Sequence, residues 1–442
     1  MPIFARRRLQ AMLDDLAPLM PLAKVNDLLA RIEHKSPQDA LAGEFELGLL
    51  WSIRQVAHIE IEPPPTSGSS CPDAYSNDLF SSRPALIEIT ALSDDTFSGA
   101  ADMNRAANII CQFANRVRRG SGEHLYFEFL VESYYRNGRF HRNRRITDKF
   151  KLTATLEAEV RAWLSNPDWP KNGNARLTDP EIDVVVQWKS FVHPEGRTFC
   201  SMPAVAYHVE ENTIFRALKR KERQLSGAPA GTLRCIFLGD AGCQMLRELK
   251  PFGVQEVSGD QVIKHFLSKS SVDVVGVFSP YRAFQVFQMP GTRVPHWRVN
   301  LYTRTEVPAE SDCSLVQKMV EVLPRPQLEG YQARSWHRQG FFDPQGKGIY
   351  LGCKMTTKAG SVSISISARM VLELLAGRIT PEQFQNFSFR DHRNIFDAEF
   401  KRGLTIQGAR IEKGGLDEDD DYLVFEMEPD FGARALRNPR AD

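Results

Sequence analysis

Two carboxylates on neighbouring predicted strands could hold a metal ion, one at the head of its strand and the other within it. Asp73 follows Pro72 at the start of one strand, and Glu88 lies in the segment 85–90, whose other residues are Ala, Leu, Ile and Thr. A carboxylate within such an apolar strand is costly to bury unless it has a charged partner or binds a cation. Carboxylate oxygens suit a hard cation such as Mg²⁺ or Mn²⁺. Such a cation polarises phosphate groups and lowers the pKa of bound water, so the pair indicates phosphodiester hydrolysis.

A simpler interpretation of each carboxylate stays open. Asp73 could cap a turn after Pro72, as aspartate commonly does, and Glu88 could face solvent from an edge strand. The two interpretations differ in geometry, because a shared cation requires the carboxylates to converge within about 5 Å.

The predicted helices and strands that position these carboxylates alternate along the chain. The first 55 residues are predicted to be helical, with the last helix at 36–56. Strands at 58–62, 73–80 and 85–90 follow, because their apolar residues alternate or cluster between turn residues. Further elements are predicted as a helix at 98–117, a strand at 124–135, a strand at 182–188, a helix at 212–225, a strand at 232–239, a helix at 261–267 and a strand at 272–279. This alternation predicts an α/β fold.

Pro72-Asp73, followed by Glu88-Ile89-Thr90 in the order helix, strand, strand, strand, helix, strand, resembles the PD-(D/E)XK nuclease superfamily. The resemblance implies a restriction-endonuclease-like mixed sheet flanked by helices. It also implies that Asp73 and Glu88 are catalytic metal ligands and that an acid on the preceding helix assists them. Glu46 is the preferred helix acid and Glu44 the alternative, since Glu46 lies closer to the buried face of the helix.

Thr90 stands where the family has a lysine, and it cannot supply a positive charge. In some members of the family another element supplies the lysine, which directs attention to the helix at 212–225. Lys221 and Gln224 lie three residues apart and therefore on one face of this helix. Lys221 is the predicted catalytic substitute, and the weaker candidates are Lys219 and, as a polar helper on the intermediate helix, Gln112.

The segment 136–151 is strongly basic and contains aromatic residues, which is typical of nucleic-acid contacts. Arginine binds phosphate groups, and aromatic rings stack on bases or sugars. Aromatic residues within or beside the segment are Tyr134, Tyr135, Phe140 and Phe150. The predicted nucleic-acid-binding residues, with DNA favoured over RNA, are Arg136, Arg139, Arg142, Arg144, Arg145 and Lys149. The alternative is a solvated hairpin whose cations contact only water.

Composition restricts the class of protein. The chain has 442 residues, and 56 Lys and Arg against 55 Asp and Glu give a net charge of +1, so any basic surface must be local. The seven cysteines are scattered and form no CxxC pair, which predicts reduced thiols and a cytoplasmic protein. No apolar run approaches the roughly 18 residues of a membrane helix.

Three consecutive domains are predicted: a helical segment at 1–35, a restriction-endonuclease-like α/β domain at 36–305, and an α+β domain of unknown role at 306–442. The function implied by the resemblance is a metal-dependent DNA nuclease in prokaryotic defence or a mobile element. The expected partners, besides DNA, are a second copy of the chain or a partner protein of a defence system. One alternative is an inactive nuclease-fold subunit that binds nucleic acid or a partner protein of such a system. A structural subunit of a larger assembly is the other alternative.

Overall fold

The computed structural model describes most of the chain from residue 3 to residue 430. The positions within that range that lie outside the described residues are 35, 65–70, 95–98, 137–138, 148–149, 171–172, 191–196, 201–205, 251–255, 285–292, 305–309, 339–341, 344–347, 350–352, 359, 382–383 and 386–393. No helix of the described residues is long and apolar enough to cross a membrane.

Helices occur along the whole described chain. They are α1 (Arg6–Leu16), α2 (Leu22–Ile32), α3 (Pro37–Val56), α4 (Ala100–Val117), α5 (Ala154–Leu164), α6 (Thr213–Gln224), α7 (Gln244–Glu248), α8 (Gly259–Ser268), α9 (Ser314–Val322), α10 (Gly330–Arg338), α11 (Ala368–Leu375) and α12 (Ile395–Lys401). Short 3-10 turns lie at Ala17–Leu19, Ser121–His124, Leu225–Gly227 and Glu310–Cys313. Side-chain caps fix several of the helix starts, as at Thr153, Asn212 and Ser258.

Strands form several sheets between these helices. They are β1 (Glu60–Ile61), β2 (Ala74–Ser76), β3 (Ala85–Leu92), β4 (Leu125–Phe129), β5 (Val131–Arg136), β6 (Arg139–Arg144), β7 (Asn174–Thr178), β8 (Asp183–Trp188), β9 (Thr198–Cys200), β10 (Leu233–Asp240), β11 (Val274–Phe284), β12 (Arg293–Thr303), β13 (Phe342–Asp343), β14 (Gly348–Ile349), β15 (Cys353–Lys358), β16 (Ser361–Ser367), β17 (Leu404–Glu412) and β18 (Tyr422–Pro429). The predicted mixed α/β class is confirmed, with mixed sheets flanked by helices.

The central sheet has the order β1-β2-β3-β10-β11-β12. Strands β1, β2 and β3 are antiparallel neighbours, whereas β3, β10 and β11 run parallel to one another. Seven of the eight residues of β3 are buried, which agrees with its nearly continuous apolar sequence. Strands that are covered on both faces have this composition.

A second sheet, of order β7-β8-β4-β9, belongs to a module inserted between β3 and α6. This inserted module comprises α4, α5 and β4–β9, and it has its own apolar core. The predicted strand at 124–135 is two strands, β4 and β5, separated at Leu130, whose N–H donates to the carbonyl oxygen of Asp183 at the end of the β4–β8 pairing. The first of them, β4, pairs with β8 and not with β3. The parallel neighbour of β3 is β10, which follows the insertion and the helix α6.

The chain divides into two compact units that are discontinuous in sequence. One contains Met1–Ser52, Pro280–Trp297 and Val322–Asp442, and the other contains Ile53–Ser279 and Arg298–Glu321. These limits differ from the predicted consecutive domains at 1–35, 36–305 and 306–442. The reason lies in ion pairs and packing that join the chain's beginning to its end, including those of Arg7 with Asp421 and Arg8 with Asp417.

The first unit contains the helices α1–α2 and most of α3, together with a C-terminal sheet of order β15-β16-β18-β17. All three pairings in this sheet are antiparallel. Apolar residues of β16 and β18 form a core together with Met370 of α11. The second unit contains most of the central sheet, including β1, β2, β3 and β10, and the inserted module, and therefore the site described next.

Candidate functional site

Three charged residues that are distant in sequence meet at one face of the central sheet. Lys221 Nζ lies 2.5 Å from Glu88 Oε2 and 3.3 Å from Asp73 Oδ2. One ammonium group therefore contacts two carboxylates within hydrogen-bonding range. The structure brings together these three predicted residues, although 133 positions separate Glu88 from Lys221.

The packing of α6 on the sheet explains how Lys221 reaches Glu88. Glu88 is in register with Ile236 of β10, and Leu86, Ile236 and Leu238 pack in one core with Leu218 of α6. Side chains alternate along a strand, so Glu88 shares the face of Leu86. Lys221 follows Leu218 by three residues and lies on the same helix face. The helix thus carries an apolar patch and a single buried cation toward β3.

Asp73 is fixed by the backbone of the strands on both of its sides. Its Oδ2 accepts a hydrogen bond from the Ile89 N–H at 2.7 Å, and its carbonyl oxygen accepts one from the Glu62 N–H at 3.1 Å. Asp73 immediately precedes β2, where Ala74 pairs with Ile87. The Asp73 carboxylate therefore extends the hydrogen bonds between β2 and β3 to one more N–H group of β3, that of Ile89. The carboxylate of Asp73 therefore both anchors the backbone of β3 and faces Lys221.

Burial makes the site electrostatically costly. The Glu88 side chain is 1% exposed, and its Oε1 atom has no hydrogen-bond partner among the described residues. Burial, and then the neighbouring Asp73, raise the pKa of Glu88 to about 8, although Lys221 acts in the opposite direction. Burial alone would lower the pKa of Lys221, but Asp73 and Glu88 raise it. Two carboxylates thus share one ammonium in a nearly dry environment.

The residues at this site fit a divalent cation. Asp73 and Glu88 supply oxygen donors from adjacent strands, and the buried Oε1 of Glu88 is an acceptor for which the described residues provide no donor. Within the described part of the chain, no group of three or more His, Cys, Asp or Glu could hold a metal. A cation here would rely on two carboxylates, and Mg²⁺ commonly takes its remaining ligands from water and phosphate.

Glu46 and Glu44, the predicted helix acids, have other partners. Glu46 lies 2.6 Å from Lys24 Nζ and 2.8 Å from Arg31 Nη1. Glu44 accepts hydrogen bonds from the N–H groups of Ile3 and Phe4, and burial raises its pKa to about 7. Both acids belong to the first unit, where they hold the N-terminal segment and the helices together.

The weaker candidates occupy different positions. Thr90 is half-buried on the same strand face as Glu88. Lys219 forms an ion pair with Glu222 at 2.8 Å, and Gln112 is exposed on α4 in the inserted module. The Oε1 atom of Gln224 is buried without a hydrogen-bond partner among the described residues.

The basic segment forms an antiparallel ribbon, β5–β6, in which Arg136 pairs with Arg139. The side chains of these two residues, and the whole of Lys149, lie outside the described part of the chain. Arg145 donates to the Asp179 carbonyl and approaches Asp183 at 3.7 Å.

Two further arginines of the ribbon are half-buried. Arg142 is in register with Ser133. Arg144 approaches Gly99 at the start of α4, and burial lowers its pKa. Arg144 and Arg145 therefore have contacts within the protein in addition to any that they make with nucleic acid.

The aromatic residues of the basic segment divide into exposed and buried ones. Tyr135 is 66% exposed. The rings of Tyr134 and His141 stack with centroids 5.3 Å apart. Phe150, by contrast, is 4% exposed and belongs to the core of the inserted module, so it cannot stack on a base.

The site thus combines two strand carboxylates with a lysine from a helix that enters the sheet after a long insertion. The apolar run of β10 could have indicated a strand buried beside β3, since continuous apolar runs are typical of parallel strands. Comparison of the chain with protein-family models, with curated proteins and with solved structures gave no match.

Proposed function

We propose that this chain is a metal-dependent nuclease that hydrolyses DNA phosphodiester bonds, built on a restriction-endonuclease-like core. The observation that carries the proposal is the contact of Lys221 with both Asp73 and Glu88. A lysine from α6 stands beside the two strand carboxylates, in the role that Thr90 cannot fill.

The arrangement of elements supports the same proposal. The strands β1, β2 and β3 are followed, after the inserted module, by α6 and then by β10 parallel to β3. With the insertion set aside, the order strand, strand, strand, helix, strand is the one that the resemblance implies. The helix of that order is then α6, which carries Lys221, and not α4.

Each residue of the site has a proposed role. Asp73, held by the Ile89 N–H, and Glu88 would hold Mg²⁺ or Mn²⁺. When bound, the cation polarises the phosphate and lowers the pKa of a water molecule. Lys221 would turn from the carboxylates toward the phosphate oxygens and stabilise the charge that develops on them. Substrate would approach from the side of Asp73, whose side chain is 14% exposed against 1% for Glu88.

A cleavage assay with matched variants tests this proposal. Supercoiled and linear DNA are incubated with the full chain and Mg²⁺ or Mn²⁺, and products are resolved on gels. The variants are Asp73→Asn, Glu88→Gln and Lys221→Met, with Lys219→Met as the control on the same helix. We expect each of the three to reduce cleavage by at least about 100-fold, the usual scale for a residue acting in the transition state. Cleavage that persists in Asp73→Asn and Glu88→Gln would exclude this site as its source.

The second candidate is an inactive nuclease fold that binds nucleic acid or a partner protein. It is favoured by Thr90 at the lysine position and by the ammonium of Lys221, which already contacts a nearly buried Glu88. The same assay distinguishes the two, because this candidate predicts DNA retention in a gel-shift experiment without metal-dependent cutting.

A further inference from the structure

A groove of about 540 Å³ runs along β12, the last strand in the order of the central sheet. Five consecutive residues of this strand, Val299–Thr303, line it. Side chains alternate between the two faces of a sheet, so a cavity on one face meets only every second residue. The groove therefore follows the edge of β12, where the described residues place no further strand.

The helix α8 forms one wall of the groove, and the 3-10 turn that ends at Cys313, with α9 after it, forms the other. On one side α8 contributes Asp260 and Lys264, and its apolar face packs in the same core as Leu86 and Ile236. On the other side lies Cys313, which is close enough to Cys235 to act on it. Burial, then Asp273 and then Cys313 raise the pKa of Cys235. Cys235 precedes Ile236, so its side chain points to the opposite face. The result is a trough with a strand edge as its floor.

This geometry matches an extended polypeptide. An edge strand presents N–H and C=O groups in the repeat of a strand, and another extended chain supplies the complementary groups. Walls on both sides leave room for one segment and hinder the approach of a whole sheet. Asn300 also lines the groove, and its Nδ2 is buried without a hydrogen-bond partner among the described residues. A peptide carbonyl is a suitable acceptor for it.

The charges along the groove favour an acidic segment. Lys264 lies 2.9 Å from Asp260, but the lysine side chain is 66% exposed and the aspartate 36%. Arg304, just beyond the groove, is 38% exposed, whereas its partner Asp273 is only 12% exposed. In both ion pairs the cation is the outer member. Asp260 also accepts a hydrogen bond from Tyr302, so it keeps a donor if Lys264 turns to a ligand.

We propose that this groove binds an extended, acidic segment of a partner protein, which pairs with β12 as an additional strand. The proposal goes beyond the nuclease proposal and is independent of Asp73 and Glu88. It adds a partner-binding surface to the unit that contains the carboxylate site.

Peptide selection with groove variants tests the proposal. A displayed library of random linear peptides is panned against the full chain, and the binding of synthetic copies of the selected peptides is measured by fluorescence anisotropy. Gln317 is exposed on the wall of the groove, so Gln317→Trp should fill the groove without disturbing the core, and Gln317→Ala is the matched control. We expect acidic peptides whose affinity falls at least about tenfold, or 1.4 kcal/mol, in Gln317→Trp alone. Lys264→Glu should reverse the preference for acidic peptides.

Two further measurements distinguish strand pairing from other binding. N-methylation of the peptide at alternate amides should abolish binding, while N-methylation at the intervening amides should be tolerated, because only alternate N–H groups face the neighbouring strand. Amide hydrogen exchange within 299–303 should slow in the complex. Binding should persist in Asp73→Ala, which separates this proposal from the nuclease proposal.

Several outcomes would overturn the proposal. Selection of no peptide that depends on the groove would do so, as would peptides that tolerate N-methylation at every amide. Self-association of the full chain that Gln317→Trp abolishes, measured by sedimentation, would assign the groove to a second copy and not to a partner protein.

Discussion

At the scale of single residues, the proton held by Glu88 links the site to stability. The pKa of Glu88 is about 8 in the folded chain, above the ordinary value of 4.5. Between these values the folded state binds a proton that the unfolded state has lost, so the contribution of Glu88 to stability is full below pH 4.5. The contribution of Glu88 to stability declines as the pH rises and is lost once the pH exceeds about 8.

Glu88→Gln should remove this decline. In the absence of divalent metal at pH 8.5, we expect the variant to have a Tm higher than that of the unaltered chain by a few degrees, roughly the effect of 1 to 2 kcal/mol. Thermal unfolding followed between pH 5 and pH 9 measures the effect. The control is Glu222→Gln on α6, since the pKa of Glu222 is lowered and its removal cannot relieve the alkaline decline. A Tm profile of Glu88→Gln parallel to that of the unaltered chain would contradict the prediction.

Removing Lys221 should have the opposite effect on stability. At a pH above the pKa of Glu88, which is about 8, Lys221→Met leaves two carboxylates facing each other without a cation, and breaking a buried ion pair in this way typically costs about 3 to 5 kcal/mol. The double variant Glu88→Gln, Lys221→Met should recover much of that loss, because the uncompensated charge is gone. Urea unfolding of the four chains gives the coupling free energy. Strictly additive effects would mean that the two side chains do not interact.

At the scale of elements, the start of α6 should influence the site at its other end. Asn212 caps the helix by accepting from the Phe215 N–H at 2.9 Å, and replacing such a cap by alanine costs about 0.5 to 2 kcal/mol. We expect Asn212→Ala to lower the free energy of unfolding by this amount. Cleavage should fall less than in Lys221→Met, because Lys221 is retained on a frayed helix. Equal loss in both variants would indicate that α6 unfolds altogether.

The ribbon β5–β6 is the element proposed to contact nucleic acid. Tyr135 is 66% exposed and can stack on a base, an interaction worth about 1 to 3 kcal/mol by alanine substitution. Tyr135→Ala should therefore weaken binding to single-stranded DNA without a change in Tm. Tyr331→Ala, which removes a tyrosine that is 54% exposed in the other unit, is the control. Fluorescence anisotropy measures both, and equal affinities would exclude Tyr135 from the contact surface.

At the scale of the whole molecule, metal binding and folding should be linked. A ligand that binds only the folded state stabilises it by about 2.7 kcal/mol at 100 times its Kd. Mg²⁺ or Mn²⁺ should therefore raise the Tm of the full chain, and the rise should be larger at pH 8.5 than at pH 6, where Glu88 retains its proton. The rise should vanish in Asp73→Asn and Glu88→Gln and persist in Lys219→Met. A metal-induced rise that all variants share would place the bound cation elsewhere.

The organisation of the whole molecule also explains which features of the site can be predicted from a short stretch of sequence. Strand β3 and the position of Glu88 follow from a short apolar run, and the start of α6 follows from Asn212 and the periodicity after it. The helix pattern favours Glu46 as the assisting acid, because it lies near the buried face of the helix before the strands, yet Glu46 forms ion pairs with Lys24 and Arg31. Helix periodicity shows that one face is buried but does not identify what covers it.

The sequence by itself indicated the two carboxylates and the α/β class, which depend on alternation, helix periodicity and the cost of burying charge, all of which act over a few residues. The candidate lysine followed from the resemblance to the nuclease family, which implies a lysine that Thr90 cannot supply. Only the tertiary structure decided that β10, and not β4, lies beside β3, and that Lys221 reaches Glu88 across the inserted module. Strand partners are chosen by contacts between distant residues, so the pattern within one strand does not specify its neighbour.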